Sequence, residues 1–92
     1  MSAMVVVYCT RFCPYCVMAA RLIESKGVDY VTVSVDREPG RRLEMERLSG
    51  RHTVPQIFIA GTHIGGYAEL AHLERTGRLD AMLEDDGETK AG

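Results

Sequence analysis

Cys13-Pro14-Tyr15-Cys16 falls where a run of strand-forming residues, Met4 to Cys9, gives way to a helical pattern, and no other stretch restricts the fold as much. Two cysteines separated by two residues can close a small disulfide ring. A helix that opens there carries both sulfurs to one exposed corner, with Cys13 at the tip and Cys16 slightly inside. That asymmetry predicts Cys13 as the attacking thiol and Cys16 as the resolving one. Pro14 agrees: its missing N–H falls among the first four of a helix, which have no intrahelical partner, and its fixed φ suits the first helical position. Cys13 is then the N-cap, where free N–H groups and the helix dipole favour a negative sulfur by roughly 0.3–2 kcal/mol. Any further stabilisation must come from direct N–H···S hydrogen bonds or a nearby cation. Arg11, two residues upstream, is one candidate.

Two other uses of the cysteine pair fit less well. A structural zinc needs four ligands, and Cys9, His52, His63 and His72 supply neither a second C-x-x-C nor an H-x3-5-H pair. A purely structural disulfide across so short a loop would stabilise little. Redox chemistry remains, and three cysteines, an odd number, match no secreted disulfide framework, so a reducing cytoplasm is expected. Met1 to Ala3 are too short for a signal peptide, and no apolar stretch is long enough to span a membrane.

The pattern around the pair reads as an α/β domain. Met4–Cys9 is a continuous apolar run, expected as a strand buried on both faces, with Cys9 as a small core residue. A helix from Pro14 to about Lys26 carries the stripe Met18, Ala19, Leu22 and Ile23, and Gly27 stops it. Tyr30–Val35 alternates with period two and is the second strand. Strand, helix, strand with so long a connection implies parallel pairing and a right-handed crossover. The cysteine pair then lies at the C-terminal end of a strand, where α/β sheets place their sites. A charged helix over about 40–49 has Leu43, Met45 and Leu48 as its apolar contacts. Val54–Ile59 and His63–Ile64 form a hairpin about Ala60-Gly61-Thr62, and a helix from Tyr67 to Thr76 turns Leu70, Ala71 and Leu73 inward. Leu79, Met82 and Leu83 give a last amphipathic turn or two. At 92 residues this is one domain, residues 1–83, followed by a polar tail over 84–92 that is expected to be disordered.

The net charge of −2 hides an uneven distribution. The tail holds four of the thirteen acids and one of the eleven bases, leaving nine acids against ten bases in the body. Arg37, Arg41, Arg42, Arg47 and Arg51 lie close together, but Glu38, Glu44 and Glu46 interleave with them and no aromatic platform accompanies them. A solvated helix face is the expectation, and nucleic acid is not an expected partner.

Cys13-Pro14-Tyr15-Cys16, Thr53-Val54-Pro55-Gln56-Ile57-Phe58-Ile59 and Gly65-Gly66-Tyr67, in this order, resemble the glutaredoxin family, most of all the small bacterial dithiol glutaredoxins, over nearly the whole chain to Leu83. The resemblance implies a minimal thioredoxin fold: a four-stranded mixed sheet in the order 2-1-3-4 with helices on both faces. It also implies a glutathione site. Val54-Pro55 would be the family's cis peptide, with Thr53 before it, and the Val54 backbone would pair with the cysteinyl backbone of glutathione as an added strand does. Gly66 would permit close approach, the N–H groups of Tyr67 and Ala68 would hold the γ-glutamyl carboxylate, Glu69 would accept from the glutamyl ammonium, and Tyr15 would form a wall. The family commonly has Lys three residues before its first active-site cysteine; here Thr10 stands there, and Arg11 and Arg51 are the candidate substitutes. Tyr67 stands where many members have another cysteine, and His52 is expected to be a loop residue rather than a base.

The function so implied is glutathione-dependent thiol-disulfide exchange. Cys13 attacks glutathione mixed disulfides or protein disulfides, such as that of ribonucleotide reductase, and glutathione or Cys16 resolves the intermediate. Glutathione serves as co-substrate, glutathione reductase with NADPH stands behind it, no metal is required, and the protein acts as a monomer. Two rival readings stand beside it, the first from another class. An iron-sulfur carrier would share a cluster between two monomers through Cys13 and glutathione, against which Pro14 counts, and a brown colour would reveal it. A redoxin fed by thioredoxin reductase typically has Trp-Ser-Gly-Phe where this chain has Gly65-Gly66-Tyr67-Ala68, and this chain has no Trp.

Overall fold

Successive side chains of β1 (Val5–Cys9) point to opposite faces of the sheet, and almost all are apolar, so the strand can serve two cores. In the computed structural model, which describes residues 3–84, it does so. Val5 and Val7 enter one core with Ala19, Ile23, Ile57, Ile59, Leu70 and Leu79. Tyr8 enters a smaller one with Val35 and Met45. β1 pairs in parallel with β2 (Val31–Ser34) and antiparallel with β3 (Gln56–Ile59), and β3 pairs antiparallel with β4 (Thr62–Gly65). The resulting order, β2-β1-β3-β4, is the one the resemblance implies.

The helices divide between the two faces as their apolar residues dictate. α1 (Pro14–Ser25), α3 (Tyr67–Arg75) and α4 (Leu79–Glu84) supply the larger core, and α2 (Arg41–Ser49) supplies Met45 to the smaller one. Lys26, at the end of α1, joins α3 and α4 through Glu74 (2.6 Å) and Asp80 (2.9 Å). Tyr8 donates its hydroxyl to Glu44 and so holds α2 over the sheet.

Three expectations need correction. The inward face of α1 is Cys16, Ala19 and Ile23, one helical turn apart, so Met18 is 42% exposed. On α2 only Met45 is buried; Leu43 stands about 200° around the helix from it and Leu48 is also exposed. β3 begins at Gln56 rather than Val54, because the Val54–Pro55 bond is cis and Pro55 has no N–H for the ladder. The hairpin turn is Ala60-Gly61 with φ of 52° and 81°, both positive as a primed turn requires. The expected tail lies outside the described residues from 85 onward, and Glu84 is the last residue of α4. None of the described helices is long and apolar enough to cross a membrane.

Candidate active site

Pro14 opens α1 at its first position, so Cys13 becomes the N-cap with extended backbone (φ −117°, ψ 109°). Its Sγ accepts from the Cys16 backbone N–H at 3.3 Å, the direct N–H···S bond that the sequence calls for. On its other side the same sulfur lies 3.8 Å from the Val54 carbonyl oxygen. Cys13 is partly exposed while Cys16 is buried, and both are free thiols. Burial, and next the hydrogen bond with Cys13, push the Cys16 thiol up to about 12. Near neutral pH Cys16 therefore holds its proton, and Cys13, at the helix end, is the sulfur that can act as nucleophile.

Cys9 ends β1 on the same face as Val5 and Val7 and packs against the larger core. Its thiol neighbours that of Cys16, and burial, then the charge of Asp36, raise its pKa. It is half-buried, as befits a small core-edge residue.

A groove of about 300 Å³ runs beside Cys13, lined by Arg51, the Thr53-Val54-Pro55 segment, Tyr15 and the Gly66–Glu69 start of α3. Nine of the ten residues named above for glutathione thus share one groove. The rings of Tyr15 and Tyr67 stand 6.3 Å apart. Neither this groove nor a larger hollow, about 490 Å³ between β4, α3 and α4, is lined by Cys13 or Cys16, but the groove includes Val54, whose carbonyl oxygen lies 3.8 Å from Cys13 Sγ.

Arg11 is the residue that does not join the groove. Its backbone N–H and Nε both reach Asp36 Oδ2, at 3.2 and 3.4 Å, and its guanidinium lies 5.7 Å from the centre of the Phe12 ring. The Arg11 backbone N–H is the main reason the Asp36 carboxyl titrates below its ordinary range. Arg11 is not among the residues that line the groove, whereas Arg51 is, which leaves Arg51 as the groove's candidate cation. His52 is exposed in its loop, with Nδ1 3.3 Å from Glu46.

Electrostatics at the start of α3 favour an anion. The first N–H groups of a helix have no intrahelical partner. Glu69 Oε1 reaches back to the Gly66 N–H at 2.7 Å, half of a capping box, and this bond chiefly depresses the Glu69 carboxyl. Tyr67 and Ala68, the first two residues of α3, line the groove, and their N–H groups have no intrahelical partner. Arg51 Nη1 stands 3.4 Å from Glu69 Oε1, an exposed pair worth about 0.2–1 kcal/mol, so a ligand carboxylate can compete for the guanidinium.

Of the two adjacent glycines, the structure makes Gly65 the demanding one. Its φ is +122°, and a Cβ there would lie 2.7 Å from Glu69 Oε1 and 2.9 Å from Glu69 Cγ. Gly66 has φ −96°, and a Cβ there would meet only Pro55 O at 3.4 Å and Glu69 Oε1 at 3.5 Å. The sequence reading also passed over Gln56. It is fully buried, and its Nε2 donates to Thr53 O (3.0 Å) and Thr53 Oγ1 (3.2 Å), bracing the segment that carries Val54. A lone amide within an apolar strand was the available signal, since a buried amide must find partners.

Among the described residues no group of three or more His, Cys, Asp or Glu side chains is placed to hold a metal ion. What the site offers is a pair of thiols, one at a helix N-cap accepting a backbone N–H and one buried and kept protonated, beside a groove that includes a helix N-terminus.

The family model described as Glutaredoxin matches residues 5–64. A glutaredoxin of Pseudomonas aeruginosa is 49% identical over 79 residues, 86% of this chain and 94% of that protein. Glutaredoxin 3 of Escherichia coli K12 is 45% identical over 82 residues, covering 89% and 99% of the two chains. Among solved structures, a buckwheat glutaredoxin–glutathione complex superposes with a TM-score of 0.82 at 32% identity, covering 88% of this chain and 76% of that one.

Proposed function

The chain belongs to the glutaredoxin family of thiol-disulfide oxidoreductases, and from that premise we propose that it uses glutathione as its co-substrate, reducing glutathione mixed disulfides and protein disulfides. The observation that carries this reading is the placement of the Val54 carbonyl 3.8 Å from Cys13 Sγ at the head of a groove whose far wall is the start of α3. A tripeptide whose cysteine is bonded to Cys13 has backbone partners at Val54 and an anion site at Tyr67 and Ala68. The existence of a glutathione complex of the buckwheat relative supports the same assignment.

In the proposed cycle the Cys13 thiolate attacks the glutathionyl sulfur of R–S–S–G. A Cys13–glutathione disulfide forms, the S–S bond of the substrate breaks, and the leaving thiolate R–S⁻ takes a proton from water. A second glutathione thiolate then attacks the bound glutathionyl sulfur, giving glutathione disulfide and free Cys13. Alternatively Cys16 gives up its proton, attacks Cys13 Sγ and expels glutathione, leaving a Cys13–Cys16 disulfide for two glutathione molecules to reduce. Glutathione reductase and NADPH return the glutathione disulfide to thiol. Protein disulfides such as that of ribonucleotide reductase, a monomeric state and a cytoplasmic setting complete the proposal.

A coupled assay following NADPH oxidation, with a glutathionylated substrate and glutathione reductase, tests it. Activity that does not depend on added glutathione would contradict it. The same assay separates the two arginines. Arg51→Ala is expected to raise KM for glutathione by up to about sixfold, the equivalent of one exposed ion pair. The loss should shrink at high salt, and Arg11→Ala should leave KM unchanged. Equal effects from both substitutions would show that Arg51 holds no special place in the groove.

A further inference from the structure

The Gln56 amide continues beyond Thr53 to a residue to which the reaction gives no role. His63, on β4, places its Nε2 2.7 Å from Gln56 Oε1. The direction of this hydrogen-bond chain follows from chemistry. Thr53 O is a carbonyl oxygen and can only accept, so the nitrogen of the Gln56 amide must face it and the oxygen must face His63. Oε1 can only accept in turn, so His63 Nε2 must carry a proton. Burial first, and then the nearby positive charge of Arg51, disfavour the imidazolium, with Glu69 opposing them. The ring is therefore held as the neutral Nε2–H tautomer, its centre 5.1 Å from that of Phe58 on the neighbouring strand.

We infer that His63 is a positioning residue for the groove: by donating to Gln56 it fixes the amide that braces Thr53, and so holds the Val54 backbone opposite Cys13. The inference rests on the glutathione reading of that groove for its effect on kinetics, though not for its effect on structure. Gln56 follows Pro55 and bonds back to Thr53, so it closes the bend that carries Val54 as a staple would. If the donor is lost, Oε1 becomes a buried acceptor without a partner, and the amide gains by turning away from Thr53 towards any other donor. His63 contacts neither sulfur of the cysteine pair, so the chemical step itself should not change.

The test uses His63→Phe, which keeps a ring against Phe58 but cannot donate, and His63→Gln, whose Nε2 falls where the imidazole Nε2 was. The expected result is that His63→Phe raises KM for a glutathionylated substrate about tenfold, roughly 1.4 kcal/mol, with kcat unchanged, and that His63→Gln restores KM. The amide ¹⁵N shifts of Thr53 and Val54 should move in His63→Phe and return in His63→Gln, a readout that needs no glutathione and holds even if the glutathione reading fails. The imidazole ¹⁵N shifts of the wild type should report a protonated Nε2 and a bare Nδ1, and they decide the matter even where His63→Phe does not fold. A bare Nε2, unmoved Thr53 and Val54 amides in His63→Phe, or a His63→Gln variant as impaired as His63→Phe would overturn the inference.

Discussion

Cys13→Ser is expected to lower thiol transfer by at least about three orders of magnitude, because the thiol that remains at the helix end, Cys16, is buried and held protonated and cannot readily reach an incoming substrate. Cys16→Ser is expected to keep glutathione-dependent removal of glutathione from mixed disulfides and to lose the route through the Cys13–Cys16 disulfide. The asymmetry has two physical sources on opposite sides of one helical turn. Cys13 Sγ accepts the Cys16 N–H and sits where the helix dipole favours negative charge. Cys16 is buried, and burial holds its thiol protonated, up to about 12. Rates of the two variants with a glutathionylated substrate and with a protein disulfide check this. An active Cys13→Ser protein, or a Cys16→Ser protein inert towards glutathionylated substrate, would reverse the roles.

Gly65→Ala should carry the second large cost, and it should separate cleanly from Gly66→Ala. At φ +122° an alanine is strained by about 1–3 kcal/mol. Its Cβ also overlaps Glu69, which must swing off the Gly66 N–H and give up a cap worth about 0.5–2 kcal/mol. The sum, about 1.5–5 kcal/mol, corresponds to a fall in Tm of roughly 6–40 °C for a domain of this size. Gly66→Ala meets only ordinary contacts, so its stability loss should stay near 1 kcal/mol or below. Its Cβ enters the groove instead, and KM for glutathione should rise at nearly unchanged Tm. Thermal unfolding and steady-state kinetics on both variants test the contrast; equal losses of Tm would contradict it.

The strand and helix order was legible in the sequence because the punctuating residues act locally. Pro14 can only begin α1, and Gly27 follows its end; the apolar run of β1 has no polar face, so it had to be central. The groove residues were legible through three motifs lying in register with a known family. What stayed hidden depends on which residues meet in space. Arg11 and Arg51 are equal candidates as letters, and only the fold sets Asp36 beside the first and the groove beside the second. Gly65 and Gly66 are likewise indistinguishable until the path of the chain places Glu69 against one of them. Gln56 and His63 lie on neighbouring strands, and no pattern within either strand announces the bond between them. Leu43 and Leu48 misled in the opposite sense, since apolarity alone does not say how far a short helix overlaps the sheet.

The central claim is that glutathione bonded to Cys13 lies in the groove between Val54 and the start of α3. The most direct measurement is an amide chemical-shift map of Cys16→Ser protein trapped as its mixed disulfide with glutathione. The account predicts one glutathione per chain, on Cys13, with the largest shifts at Val54, Tyr67 and Ala68. Attachment at Cys9, or a Cys13 adduct whose largest shifts fall at His72, Leu73 and Met82 around the larger hollow, would contradict it.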